Sequence, residues 1–247
     1  MDDIPPLARP PRRVVSLVPS LTETVASVAP ELLVGATDYC THPPGLAVPR
    51  VGGSKYPSVP AVLEQRPDLV LANVEENRRE DVAALRAAGV PVWVTYPRDL
   101  DEAFDSLTRL LGGLGHAPPP WLAAARTAWS VPLHNARVRR AVVPVWRRPW
   151  VVLGSGTFAG DLLRRLGIHN VYGDAPERYP RPTLAQLRAR EPELLVLPDE
   201  PYPFTAGDGP EAFPGTPYAL VSGRHLTWYG PSLAEARQVL SAQLDEA

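Results

Sequence analysis

The strongest constraint in this sequence is a stretch that occurs twice. Gln65-Arg66-Pro67-Asp68-Leu69-Val70-Leu71 is matched 125 positions later by Arg190-Glu191-Pro192-Glu193-Leu194-Leu195-Val196. Both read as a helix end, a proline, an acid and a buried strand. Glu75 and Glu200 fall at the same offset, each just beyond the carboxyl end of its strand. Such joints also arise singly in α/β folds. Duplication of a half-chain unit is the reading taken forward, and it implies two lobes rather than one.

The rest of the pattern fits. Short β-branched runs alternate with helical stretches, which argues an α/β protein with mainly parallel strands. Strands are expected at Arg13–Val18, Val34–Gly35, Leu69–Ala72, Val90–Thr95, Ala141–Val145, Val151–Leu153, Leu194–Leu197 and Tyr218–Val221. Helices are expected at Ser20 onward (with Ser20 and Glu23 as a capping box), Val59–Gln65, Asn77–Ala88, Asp99–Leu111, Trp121–Asn135, Phe158–Leu166, Leu184–Arg190 and Ser232–Leu244. Pro132 should kink or end the fifth of these. Gly112–Pro120, rich in glycine and proline, marks the boundary between halves. The division is therefore 1–112 as one α/β lobe, 113–137 as linker and helix, and 138–247 as the second lobe.

Composition removes several functional classes. With 247 residues, 21% charged and a net charge of −2, the chain has no electrostatic case for a polyanion partner, so no nucleic acid is expected. The Arg137–Arg140 and Arg147-Arg148 runs read as strand flanks. No apolar run approaches a membrane span, so no insertion is expected. The acidic start, Met1-Asp2-Asp3, lacks the basic region of a signal peptide, which leads us to expect a cytoplasmic setting. Cys40, the single cysteine, permits it.

Open parallel sheets bind ligands at the carboxyl ends of their strands, and polar and aromatic residues gather at those places. Asn73-Val74-Glu75-Glu76-Asn77 follows one strand, and Glu200-Pro201-Tyr202-Pro203-Phe204 another. Trp228-Tyr229 precedes the last helix, while Tyr39, Tyr56 and Tyr96 stand at strand ends of the first half. Lys55 is the only lysine. Cys40 and His42, two apart, point the same way on an extended segment and could share a metal. Gly154-Ser155-Gly156-Thr157-Phe158-Ala159-Gly160, with Asp174 beyond it, resembles a dinucleotide fingerprint with its third glycine one place late; a turn of small residues explains it as well. No nucleophile elbow accompanies any histidine, so a hydrolase is not expected.

Arg13 to Glu23, Arg66-Pro67-Asp68-Leu69-Val70 and Leu166 to Val171 together resemble the helical-backbone metal receptor superfamily, the class III substrate-binding proteins for corrinoids, haem and ferric chelates. The loops around Lys55, Glu75, Glu200 and Trp228 resemble a signal-less branch of it. The resemblance implies two Rossmann-like lobes joined by one long backbone helix, with a small ligand held between them and no catalytic turnover. The ligand would be a corrinoid, haem, ferric chelate or divalent metal. The ligand side chains would be Tyr39, Lys55, Asn73, Glu75, Glu76, Asn77, Thr157, Tyr179, Glu200, Tyr202, Trp228 and Tyr229, with Cys40 and His42 as metal ligands. Members that dock on a permease present an acid on each lobe, where Arg79 and Ala185 stand here, so ABC docking is not expected. Those that clamp cobalamin use a tryptophan in each lobe, where Asn73 and Tyr179 stand. An enzyme acting on a metal or tetrapyrrole, with Glu75 or Glu76 and His42 as its acid–base pair, is the alternative.

Overall fold

A computed structural model describes residues 2–131 and 138–247. The chain divides into two compact units. The first takes Met1–Pro97, Glu102–Ala123 and Tyr229–Pro231; the second takes Arg98–Asp101, Ala124–Trp228 and Ser232–Ala247.

The first unit holds β1 (Val14–Ser16), α1 (Pro19–Ala26), β2 (Leu33–Ala36), α2 (Val59–Glu64), β3 (Leu69–Asn73), α3 (Arg79–Ala87) and β4 (Val92–Thr95). Its four strands are parallel, in the order β2-β1-β3-β4. All residues of β1, β3 and β4 are buried, as expected for a sheet covered on both faces. Val15, Leu17, Val62, Val70, Ala72, Leu85 and Val92 build its core. α4 (Leu100–Gly113) and α5 (Pro120–Ser130) follow.

The second unit holds β5 (Arg139–Val142), β6 (Pro144–Arg147), β7 (Trp150–Val152), α6 (Phe158–Arg165), β8 (Ile168–Asn170), α7 (Leu184–Ala189), β9 (Leu194–Pro198), β10 (Tyr218–Val221), α8 (Gly223–Thr227) and α9 (Leu233–Asp245). Its parallel sheet runs β8-β5-β9-β10, the first unit's order repeated strand for strand.

The repeated joint is reproduced bond for bond. Arg66 and Glu191 sit in the left-handed region at φ 47° and 48°. The Asp68 N–H donates to the Arg13 carbonyl, as the Glu193 N–H does to Arg140, both at 2.9 Å. In return the Asp68 carboxylate accepts the Arg13 N–H at 2.8 Å, and the Glu193 carboxylate the Arg140 N–H at 2.9 Å. Further along, the Val74 N–H donates to Thr95 and the Asp199 N–H to Val221, each at 3.1 Å.

The structure corrects several expectations. α1 starts at Pro19 with Val18 as N-cap and no side-chain cap, so Ser20 and Glu23 form no capping box. A proline at the first helical position removes one of the N–H groups a cap would serve. α3 starts at Arg79 rather than Asn77, because the Asn77 side chain is engaged elsewhere. The expected strand Ala141–Val145 breaks after Val142, and β6 turns back on β7 as an antiparallel hairpin. β8 and α8 were not expected. α5 is helical through Ser130; its expected continuation toward Asn135 and the effect of Pro132 lie outside the described residues.

Candidate functional site

At the carboxyl end of the first sheet, three loops are tied into one rim. The β3–α3 loop is folded by its asparagines. Asn77 Oδ1 accepts the Asn73 N–H at 2.8 Å, and Asn77 Nδ2 donates to the carbonyls of Leu17 and Ser54. Asn73 Oδ1 accepts the Glu75 N–H at 2.7 Å. Lys55 donates its Nζ to the Glu75 carbonyl at 2.6 Å, binding the 51–58 loop to this one. Arg50 fixes the third, donating to the Thr37 and Cys40 carbonyls at 3.0 Å. On these loops Tyr39 and Tyr56 are 65% and 72% exposed, with the Arg78 guanidinium 4.8 Å over the Tyr56 ring. Glu75 and Glu76 are half-buried beside them.

Beneath the rim Tyr229 is buried. Its hydroxyl lies 2.7 Å from both Asn73 Nδ2 and Thr95 Oγ1, and Thr95 in turn donates to the Ala72 carbonyl. Burial keeps this phenol protonated far above its ordinary range, and the charge of Glu76 adds to the effect. Gly230 has no room for a side chain, since a Cβ there would meet Thr24 Oγ1 and the Ser20 carbonyl at about 3 Å. Asn73, Asn77 and Tyr229, expected to reach a ligand, are buried and form the rim's inner frame.

Cys40, expected as a metal ligand with His42, points its thiol into the core of the first unit. Its thiol is fully buried, with Thr22 Oγ1 at 3.0 Å and Thr37 Oγ1 at 3.2 Å. Burial raises its pKa, only partly opposed by those hydroxyls. His42 is half-buried, its Nδ1 3.1 Å from the Thr41 hydroxyl. Among the described residues no three His, Cys, Asp or Glu side chains come together as a metal set.

The second unit has its own rim. The glycine turn after β7 is explained by packing: a Cβ on Gly154 would overlap the Glu177 carbonyl. The 178–180 segment lies across it as a strap, its Arg178 and Pro180 carbonyls accepting the Gly154 and Val152 N–H groups at 2.7 and 3.1 Å, with the Arg178 guanidinium reaching the Gly156 carbonyl. Tyr179, between these anchors, is 38% exposed. A groove of about 710 Å³ opens beside it, lined by Tyr172, Glu177, Arg181, Gln186 and Arg190. Arg190 precedes β9, so the groove leads away from Glu200, sharing Glu177, Tyr179 and Pro180 with the rim. Thr157 is buried and caps α6, its Oγ1 accepting the Gly160 N–H.

Glu200 lies at the carboxyl end of β9, pressed so closely on Gly223 that any Cβ there would overlap its Cγ. Asp199 Oδ1 accepts the Gly223 N–H at 2.6 Å. Burial raises the pKa of the Glu200 carboxyl, the Asp199 charge adds to this, and a hydrogen bond from Trp228 opposes both. Trp228 is buried and does not form an exposed wall. Tyr202 sits apart, its hydroxyl 2.5 Å from Asp208 and its ring edge-on to Trp146 at 5.5 Å. Sequence reasoning missed Trp146, 44% exposed on the β6–β7 hairpin, because the hairpin itself was read as two sheet strands.

No family model matches the chain. In sequence it is similar to a vitamin B12-binding protein of Vibrio cholerae serotype O1, 24% identical over 197 residues, 75% of this chain and 70% of that one. It is also 24% identical over 246 residues to a vitamin B12-binding protein of Pectobacterium carotovorum subsp. carotovorum, covering 95% of this chain and 88% of the relative. In structure it is similar to the periplasmic vitamin B12-binding protein of Vibrio cholerae, with a TM-score of 0.76, 20% identity and 96% and 98% coverage. The periplasmic haem-binding protein from Roseiflexus sp. RS-1 gives a TM-score of 0.74 at 19% identity, covering 95% and 98%. Those neighbours are described as periplasmic, where the sequence led us to expect a cytoplasmic setting. The chain has the two-lobed α/β fold with parallel sheets that these proteins share.

Proposed function

We propose that this protein binds, without turnover, a metal chelate with a flat apolar face: a corrinoid, a tetrapyrrole or a ferric chelate. The carrying observation is that Tyr39 and Tyr56 stand exposed on loops of the first unit that are themselves pinned by hydrogen bonds, as Tyr179 does on its strap in the second. Rings held out on rigid supports are a pre-organised apolar surface, and binding there loses little conformational entropy. Lys55, Glu75 and Glu76, beside Tyr39 and Tyr56, supply polar contacts that orient the ligand's substituents. With the Cys40 thiol turned inward, the metal arrives inside its chelate. The sequence relatives support this ligand class, since those named above bind vitamin B12.

Thermal unfolding with cobalamins, haemin, ferric hydroxamates and ferric catecholates tests the reading. A true ligand at 100 times its Kd adds about 2.7 kcal/mol to stability. A melting temperature unmoved by every member of the panel would refute it.

A further inference from the structure

The outer edge of β10 carries an inference that is separate from the ligand rims. β10 ends its sheet, with β9 on one side only. No charge occurs from Gly215 to Val221, whereas exposed edge strands are ordinarily guarded by charges, bulges or a covering segment. Tyr218 and Leu220 are 37% and 40% exposed, while Ala219 and Val221 are buried. The Leu195 and Asp199 N–H groups donate to the Pro217 and Val221 carbonyls. Alternate residues 217, 219 and 221 therefore face β9, and the backbone groups of Tyr218 and Leu220 face outward.

The first unit shows how the same edge is closed. There the Val70 and Val74 N–H groups donate to Pro91 and Thr95, the same two bonds one repeat earlier. The residue between them, Val94, exchanges both its backbone bonds with Asp3 at 2.8 and 2.9 Å in an antiparallel bridge, and it is 8% exposed. Leu220 is its counterpart, and among the described residues no strand or bridge covers it. A groove of about 600 Å³ runs beside it, lined by residues 215–220 with Gln243, Glu246 and Ala247.

We propose that this edge pairs with β10 of a second copy, antiparallel about a two-fold axis at Ala219. That register sets Tyr218 opposite the partner subunit's Leu220, and the reverse, so the outward N–H and C=O groups of both strands pair. The same edge therefore satisfies itself: two aromatic–aliphatic cross-strand pairs form on one face, with no charge on either strand to oppose them. A closed two-fold contact of this kind stops at two copies.

Sedimentation velocity over a wide concentration range is the test. The wild-type chain should show a monomer–dimer equilibrium, and Leu220→Lys and Tyr218→Lys should each weaken the dimer about tenfold or more, since each substitution spoils two symmetry-related pairs. Trp146→Lys, at another exposed aromatic, should leave it unchanged, and circular dichroism melts confirm that each variant is folded. Hydrogen exchange should show the Tyr218 and Leu220 amides protected in the wild type and released in Leu220→Lys. A monomer at every concentration, a dimer indifferent to Leu220→Lys, or amides protected only on adding an extended peptide would each overturn the proposal.

Discussion

Tyr229 bonds two partners more than 130 positions away, and that distance explains why the sequence misplaced it. A tyrosine beside a tryptophan in a loop reads as a ligand wall; only the folded chain shows Asn73 and Thr95 converging on its hydroxyl. The Tyr229→Phe variant would leave one buried Asn73 amide N–H without its acceptor, while Thr95 keeps its bond to the Ala72 carbonyl. It should cost about 1–3 kcal/mol, measured as a lower urea midpoint. Glu200 was legible as a strand-end acid, but its burial was not. Its carboxyl pKa in the folded chain lies above its unfolded value, so the folded state holds the proton more tightly. Ionisation at neutral pH therefore costs stability, and the cost disappears as pH falls below the ordinary glutamate value near about 4.3. Glu200→Gln should accordingly be more stable than wild type at pH 7, by about 1 kcal/mol or less, with the gap closing toward pH 4 in paired thermal melts. A gap that widens on acidification would contradict this.

Among the elements, the αβ joint was the most readable and the strand-to-helix turns the least. Pro67-Asp68 and Pro192-Glu193 announce the joint by residue type, because an acid placed there accepts the backbone N–H groups of the first strand. What the letters do not announce is that Arg66 and Glu191 adopt positive φ, which suits glycine and strains other side chains. Arg66→Gly and Glu191→Gly should each add about 0.5–1 kcal/mol of stability, measured as a higher urea midpoint. A loss at both sites would contradict that account. The β6–β7 hairpin escaped notice because β-branched runs look alike whether they continue a parallel sheet or fold back on themselves. In α6, burial alone would raise the Asp161 pKa, but Arg164, Arg165 and the Leu100 N–H hold it below the ordinary range. Its stabilising share is thus present above about pH 4 and lost as acid protonates it. Asp161→Asn should destabilise at pH 7 and converge with wild type at lower pH.

For the molecule as a whole, the account rests on two units with one strand order, each offering exposed rings on fixed loops at the carboxyl ends of its strands. The alternation of elements and the 125-residue repeat made the two-lobed α/β fold legible from the sequence. The site was legible only as a set of loops, because residue type marks where polar and aromatic groups lie in the chain but not which of them turn inward. Asn73, Asn77, Thr157, Trp228 and Tyr229 face in, leaving Tyr39, Lys55, Tyr56 and Tyr179 outside. The most direct measurement is an equilibrium titration of the purified protein with cobalamin, haemin and ferric chelates, followed by absorbance and calorimetry, on wild type and on Tyr39→Ala and Tyr56→Ala. The account predicts saturable uptake of at least one of them, weakened about tenfold by loss of either ring. Saturable binding indifferent to both rings, or no uptake of any chelate, would contradict it.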